Sequence, residues 1–132
     1  MAGETNTANN AKSAAVAVLL PVHIGDLDAT STNLAKGQWK AQVTARVHDS
    51  GHNPVAGATV AGKFTQGGWT KLVSCVTDAA GACTADSGAF PSKATTASYS
   101  VTNVSYGSAL YQSSANHDPE TDSNGTTIGL VK

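Results

Sequence analysis

Charge of either sign is scarce in this sequence: eight Lys and Arg stand against nine Asp and Glu, a net charge of −1, and the cations are scattered. Without a basic patch there is no electrostatic footprint for nucleic acid or an anionic membrane surface, so neither is expected as a partner. Long apolar runs are missing too. The longest, Ala14 to Val22, is interrupted by Pro21 and is less than half of the roughly 20 residues that a bilayer span requires. It also lacks the marks of a secretory leader, because Glu4 precedes it, Lys12 is its only flanking cation and no small-x-small cleavage site follows. An export signal is therefore expected upstream, on a longer parent protein, with residues 1–13 as a polar linker and residues 14–132 as a single domain.

Bulky side chains are few. Leu, Ile, Val and Phe fill 23 of 132 positions and aromatic residues only seven, but disorder from low hydrophobicity also needs a high net charge, which is absent. The remainder is rich in Ala (22), Gly (13) and Ser plus Thr (29), a mixture that favours thin β-layers over broad amphipathic helices.

Two cysteines, Cys75 and Cys83, flank the turn-like segment Thr77-Asp78-Ala79-Ala80-Gly81. Two thiols cannot complete a structural zinc site, and neither sits in a context that would activate it. A disulfide is expected, with the two cysteines facing each other across a hairpin whose Gly81 takes left-handed angles. Such a bridge persists in an oxidising compartment, which places the chain outside the cytosol.

From Gln38 to His48 the sequence alternates without exception: Trp39, Ala41, Val43, Ala45 and Val47 on one parity, polar residues on the other. That is a half-buried strand with Trp39 as core anchor. A second alternation runs through Ala58, Val60, Gly62 and Phe64, and a third through Ala97, Tyr99 and Val101, where a bulge near Asn103 reconciles Val104. Val16 to Ile24 offers an opening strand, Leu110 to Ser113 and Thr126 to Val131 closing ones. The reading is all-β, an immunoglobulin-like β-sandwich of seven to nine antiparallel strands.

The stretch Val47-His-Asp-Ser-Gly-His-Asn-Pro-Val-Ala-Gly-Ala-Thr-Val60, followed by Thr77-Asp78-Ala79-Ala80-Gly81, resembles bacterial immunoglobulin-like domains of the invasin and intimin type. Val22-His-Ile-Gly-Asp-Leu-Asp28 and Asn116 to Thr126 are similar to segments of accessory modules at the C-terminal ends of secreted bacterial hydrolases. The resemblance implies a secreted or cell-surface module without catalytic activity. The cysteine pair and the acidic loop depart from the invasin pattern, so adhesion does not carry over with the fold.

Chemistry concentrates in that acidic loop. Glu120, Asp122 and Asn124 before Gly125 repeat the alternate oxygen spacing of calcium loops, with Asp118 just upstream. A complete EF-hand is excluded because Val131 stands where its bidentate Glu belongs. Asp26 and Asp28 would supply the missing carboxylates if opening and closing strands lie side by side, giving a structural calcium site. His23, His48, His52 and His117 form no H-x-x-x-H pair and no nucleophile elbow is present. His48 and His52 flank a turn where zinc or copper could sit, though exposed loop histidines are commoner. Trp69, Tyr106 and Tyr111 are the candidate ligand-stacking aromatics.

The expected function is thus an accessory module that spaces, stabilises or anchors a parent secreted enzyme or surface protein. A polysaccharide or matrix-polymer binder is the first alternative. A self-assembling subunit donating residues 14–24 as a strand is the second.

Overall fold

The unbroken alternation beginning at Trp39 becomes β2 (Trp39–Asp49), and every odd-numbered residue through Val47 is buried. A computed structural model describes residues 21–132; residues 1–13, expected as linker, and residues 14–20 of the expected opening strand lie outside the described residues. The remaining strands are β1 (Pro21–Asn33), β3 (Thr59–Gln66), β4 (Trp69–Val76), β5 (Ala82–Asp86), β6 (Thr96–Ser105), β7 (Leu110–Tyr111) and β8 (Thr127–Val131). They form two four-stranded sheets, β5-β2-β1-β7 and β4-β3-β6-β8, in a β-sandwich arrangement. One core of buried residues is drawn from both sheets. No helix among the described residues is long and apolar enough to cross a membrane.

Large side chains are few, so the centre depends on a handful. Trp39 packs on Phe90 with ring centres 4.6 Å apart, and Phe64 on Tyr99 at 4.8 Å. Trp39 also donates its indole N–H to the Ala94 carbonyl at 2.7 Å, which satisfies its one polar atom inside the core. Phe90 comes from the crossing between β5 and β6, where no periodicity announces it. Gly62 makes room for the Tyr99 ring, which would overlap any Cβ there. Thr77 is the polar pin of the motif segments: its hydroxyl donates to the Val55 carbonyl at 2.6 Å and accepts from the Ala58 N–H at 2.9 Å.

Several expectations are corrected. The opening strand runs on to Asn33, well past Ile24. Within it Pro21 and Val22 pair with β7, and Val22 onward pairs with β2. The pairing of β1 with β7 is parallel, so the sheets are not wholly antiparallel. The Cys75–Cys83 disulfide is present with Cα atoms 5.8 Å apart, but it does not face across a hairpin. β4 pairs with β3 and β5 with β2, so the bridge joins edge strands of opposite sheets. Residues 77–81 carry the chain over the end of the sandwich, with Gly81 at φ +77. The bulge in β6 falls where expected, between Val101 and Asn103.

One further irregularity positions the functional side chains. The β1–β2 register shifts between Ile24 and Asp26, leaving Gly25 as an extra residue. Val22 and Ile24 before it and Leu27 after it all reach the core. Their neighbours His23, Asp26 and Asp28 are thereby turned to the outer face of the first sheet.

Candidate metal centre

The register sets His23 directly opposite His48, and Asp26 opposite Arg46. Facing residues of an antiparallel pair share a face of the sheet, so the two imidazoles stand together on the outside of the sandwich. His23 is nevertheless only 3% exposed, because two segments fold over it.

The first cover is the turn after β2. Asp49 Oδ1 accepts the N–H groups of Gly51 and Asn53, both at 2.9 Å, and the backbone closes between Asp49 N and the Asn53 carbonyl at 3.0 Å. These bonds hold the carboxyl of Asp49 below the usual range and fix His52 at φ +62, a left-handed conformation rare for a non-glycine residue. The second cover is the segment after β7. It is laid along β1 by Gln112 N–H to Val22 O (2.8 Å), Ile24 N–H to Asn116 Oδ1 (2.8 Å) and His117 N–H to Ile24 O (3.1 Å). Asn116 donates onward to the Tyr111 hydroxyl at 2.7 Å and Thr126 Oγ1 at 2.9 Å. Gly125, at φ +81, lies against the backbone of His117, where a Cβ would not fit.

All four histidines of the chain converge there. One ring nitrogen from each of His23, His48, His52 and His117 lies within 4.8 Å of the others. The ring centres of His23, His52 and His117 make a nearly equilateral triangle with sides of 5.2, 5.2 and 5.3 Å. A tetrahedral ion with metal–nitrogen bonds of about 2.0 Å requires about 5 Å between ring centres. His48 stands farther back, 6.0 to 6.3 Å from the other three.

Two ring nitrogens of the cluster lack partners. His23 Nε2 and His48 Nδ1 are buried and bonded to nothing, a costly state for ring nitrogens out of water. His117, by contrast, has its Nδ1 3.2 Å from the Ala115 carbonyl. A carbonyl only accepts, so Nδ1 carries the proton and Nε2 offers its lone pair, the outer-sphere support usual for metal-bound imidazole. Burial first, then the neighbouring imidazoles His117 and His52, holds His23 and His48 below the ordinary histidine value. Four converging imidazoles make a nitrogen donor set for a borderline divalent metal such as zinc or copper.

The expected carboxylates lie beside this cluster in sequence and register. Oxygen atoms of Asp26, Asp28 and Glu120 come within 4.8 Å of one another, as do those of Asp118, Glu120 and Asp122. The juxtaposition of the first strand and the late loop is therefore real, and Glu120 belongs to both groups. Asn124 is not brought in: its Oδ1 accepts the N–H groups of Thr126 at 2.9 Å and Thr127 at 2.7 Å, closing the turn into β8. Burial, then Asp28, Asp118 and Glu120, pushes the Asp26 carboxyl up to about 7.

The three aromatics are not gathered into a platform. Trp69 is partly buried at the edge of the second sheet, edge-on to Phe90 with ring centres 5.7 Å apart. Tyr111 lies on β7 at the edge of the first sheet, tied to Asn116. Tyr106 is 43% exposed and lines an open cavity of about 500 Å³ with Val22, Asp49, Pro54 and Val55.

Sequence reasoning paired His48 with His52 and missed that His23 and His117 complete the set. The available signal was that the two carboxylate-bearing segments, Val22 to Asp28 and Asn116 to Thr126, each carry a histidine. No protein-family model, no curated protein and no solved structure matches the chain. The chain is a disulfide-stapled all-β domain with an imidazole cluster and a carboxylate cluster on the outer face of one sheet.

Proposed function

We propose that this chain is a non-catalytic, metal-stabilised extracellular module, in which His23, His48, His52 and His117 hold one zinc ion. The observation that carries the reading is the convergence of all four histidines with two buried ring nitrogens unpartnered. Zinc is preferred over copper(II) because three of the rings already stand at tetrahedral separations, and the three longer separations all involve His48, a pattern unlike a planar square. Closing His48 on the ion completes four protein ligands and leaves no open position for a substrate, the mark of a structural site.

The metal would fasten the turn after β2 and the segment after β7 to β1, and so stabilise one end of the sandwich. An immunoglobulin-like reading is supported by strand order. β1-β2-β5 opposite β8-β6-β3-β4 follows the A-B-E and G-F-C arrangement, with β4 as an additional strand beside C. The disulfide supports an oxidising compartment. Spacing or anchoring a parent enzyme or surface protein is the role that a rigid, stapled module fits.

The test is equilibrium dialysis and a thermal scan of the full chain with zinc. One zinc per chain is expected, with about 2.7 kcal/mol of added stability at a hundredfold excess over the dissociation constant. His52→Ala, an exposed position, should weaken binding by at least about tenfold. Protons compete for the same lone pairs. Because His23 and His48 are held below the ordinary value, those two stay neutral as pH falls to about 6.5, and zinc stabilisation should decline only at lower pH, as their imidazoles take up protons. Substoichiometric zinc at neutral pH sinks the reading.

A further inference from the structure

The carboxylates beside the histidines are a separate matter, because oxygen and imidazole donors select different ions. Asp26 is the informative residue. It is only 8% exposed and its Oδ1 is bonded to nothing, while its Oδ2 makes a long ion pair with Arg46 Nε at 3.8 Å, without a hydrogen bond. A buried carboxylate oxygen without a partner is costly unless a cation or proton answers it. Its surroundings bring more negative charge, with Asp28 and Glu120 in the same group and Asp118 and Asp122 joined to it through Glu120.

We propose that Asp26, Asp28 and Glu120, flanked by Asp118 and Asp122, form a second metal site that takes a hard divalent cation, calcium. Calcium binds oxygen ligands at about 2.3–2.6 Å, so oxygens around one ion lie up to about 5 Å apart. The observed clustering within 4.8 Å meets that limit without rearrangement of the strand. Magnesium fits less well, because it demands a tighter octahedron and keeps its waters. The arrangement is not the EF-hand-like loop suggested by spacing. Two carboxylates project from β1, one from the late loop, and Asn124 takes no part.

The loop is shaped for this. Asp118 Oδ1 accepts the Glu120 N–H at 3.0 Å and its Oδ2 accepts the Ser123 hydroxyl at 2.6 Å. These bonds curl residues 118–123 so that Glu120 meets the β1 carboxylates. Calcium would neutralise Asp26 and pin the loop to the first sheet whether or not zinc is bound.

The experiment is calcium titration of the zinc-free, disulfide-intact full chain, read by calorimetry and thermal scan in excess magnesium. One calcium per chain and a raised Tm are expected at or below about 1 mM, the range of extracellular calcium modules. The double variant Asp28→Asn/Glu120→Gln alters more accessible positions and should weaken calcium at least about tenfold, while His52→Ala should leave calcium binding unchanged. Asp26→Asn should abolish binding. If that buried variant fails to fold, the double variant still decides. No calcium uptake at millimolar concentration overturns the proposal, as does uptake that the double variant leaves intact. Failure of zinc binding in the same preparation would leave the calcium result standing.

Discussion

Gly25 shows how much depends on a missing side chain. It is the extra residue of the β1 bulge, and a Cβ built there overlaps the His48 ring. The imidazole occupies space that only glycine leaves open, so Gly25→Ala must displace His48 or shift the strand, at about 1–3 kcal/mol for overpacking. The expected outcome is a folded, disulfide-bonded chain in which the zinc-induced rise in Tm is lost or strongly reduced. A thermal scan with and without zinc measures it, and an undiminished rise would remove His48 from the site. His117 depends on Gly125 in the same manner, through backbone contact.

Among the elements, the crossing from β4 to β5 carries the covalent staple. Because Cys75 and Cys83 lie on edge strands of opposite sheets, the bridge closes one side of the sandwich where no backbone ladder can. The enclosed loop is short, so the chain-entropy contribution is about 2–3 kcal/mol. Replacing both cysteines by Ala is expected to lower unfolding free energy by about that amount in urea titration. The metal clusters, on the outer face of the β1–β2 pair, should be retained. Loss of both zinc and calcium binding in that variant would show that the staple shapes the metal face, contrary to this assignment.

For the whole molecule, the two clusters are joined by the same pair of segments. β1 provides His23, Asp26 and Asp28; the segment after β7 provides His117 and Glu120. An ion at either cluster orders the same loop against the same strand, so part of the ordering cost of the second ion is already met by the first. Zinc and calcium binding should therefore be positively coupled and, by linkage, equally in both directions. Calorimetry of calcium into apo and zinc-loaded chain is expected to show about fivefold or greater tightening. Equal affinities would mean that the clusters act separately.

The all-β character, β2 with Trp39 inward, and the bulge in β6 were legible because period-two alternation is a local property of the chain. So was the existence of the disulfide. The carboxylates of Asp26, Asp28 and Glu120 were also foreseen as neighbours, since a calcium-like spacing and two strand aspartates are visible as residues. What no local pattern holds is which strands become partners. The cysteines look like a hairpin because they are eight apart, yet the chain uses that turn to change sheets. Phe90 enters the core from a loop with no periodicity. The histidine cluster was invisible for the same reason: its members are 25, 4 and 65 residues apart along the chain. Only the β1–β2 register, the bulge at Gly25 and the return of residues 112–117 along β1 bring them together. Alternation decides which side of a strand a side chain takes; long-range pairing decides what it meets there.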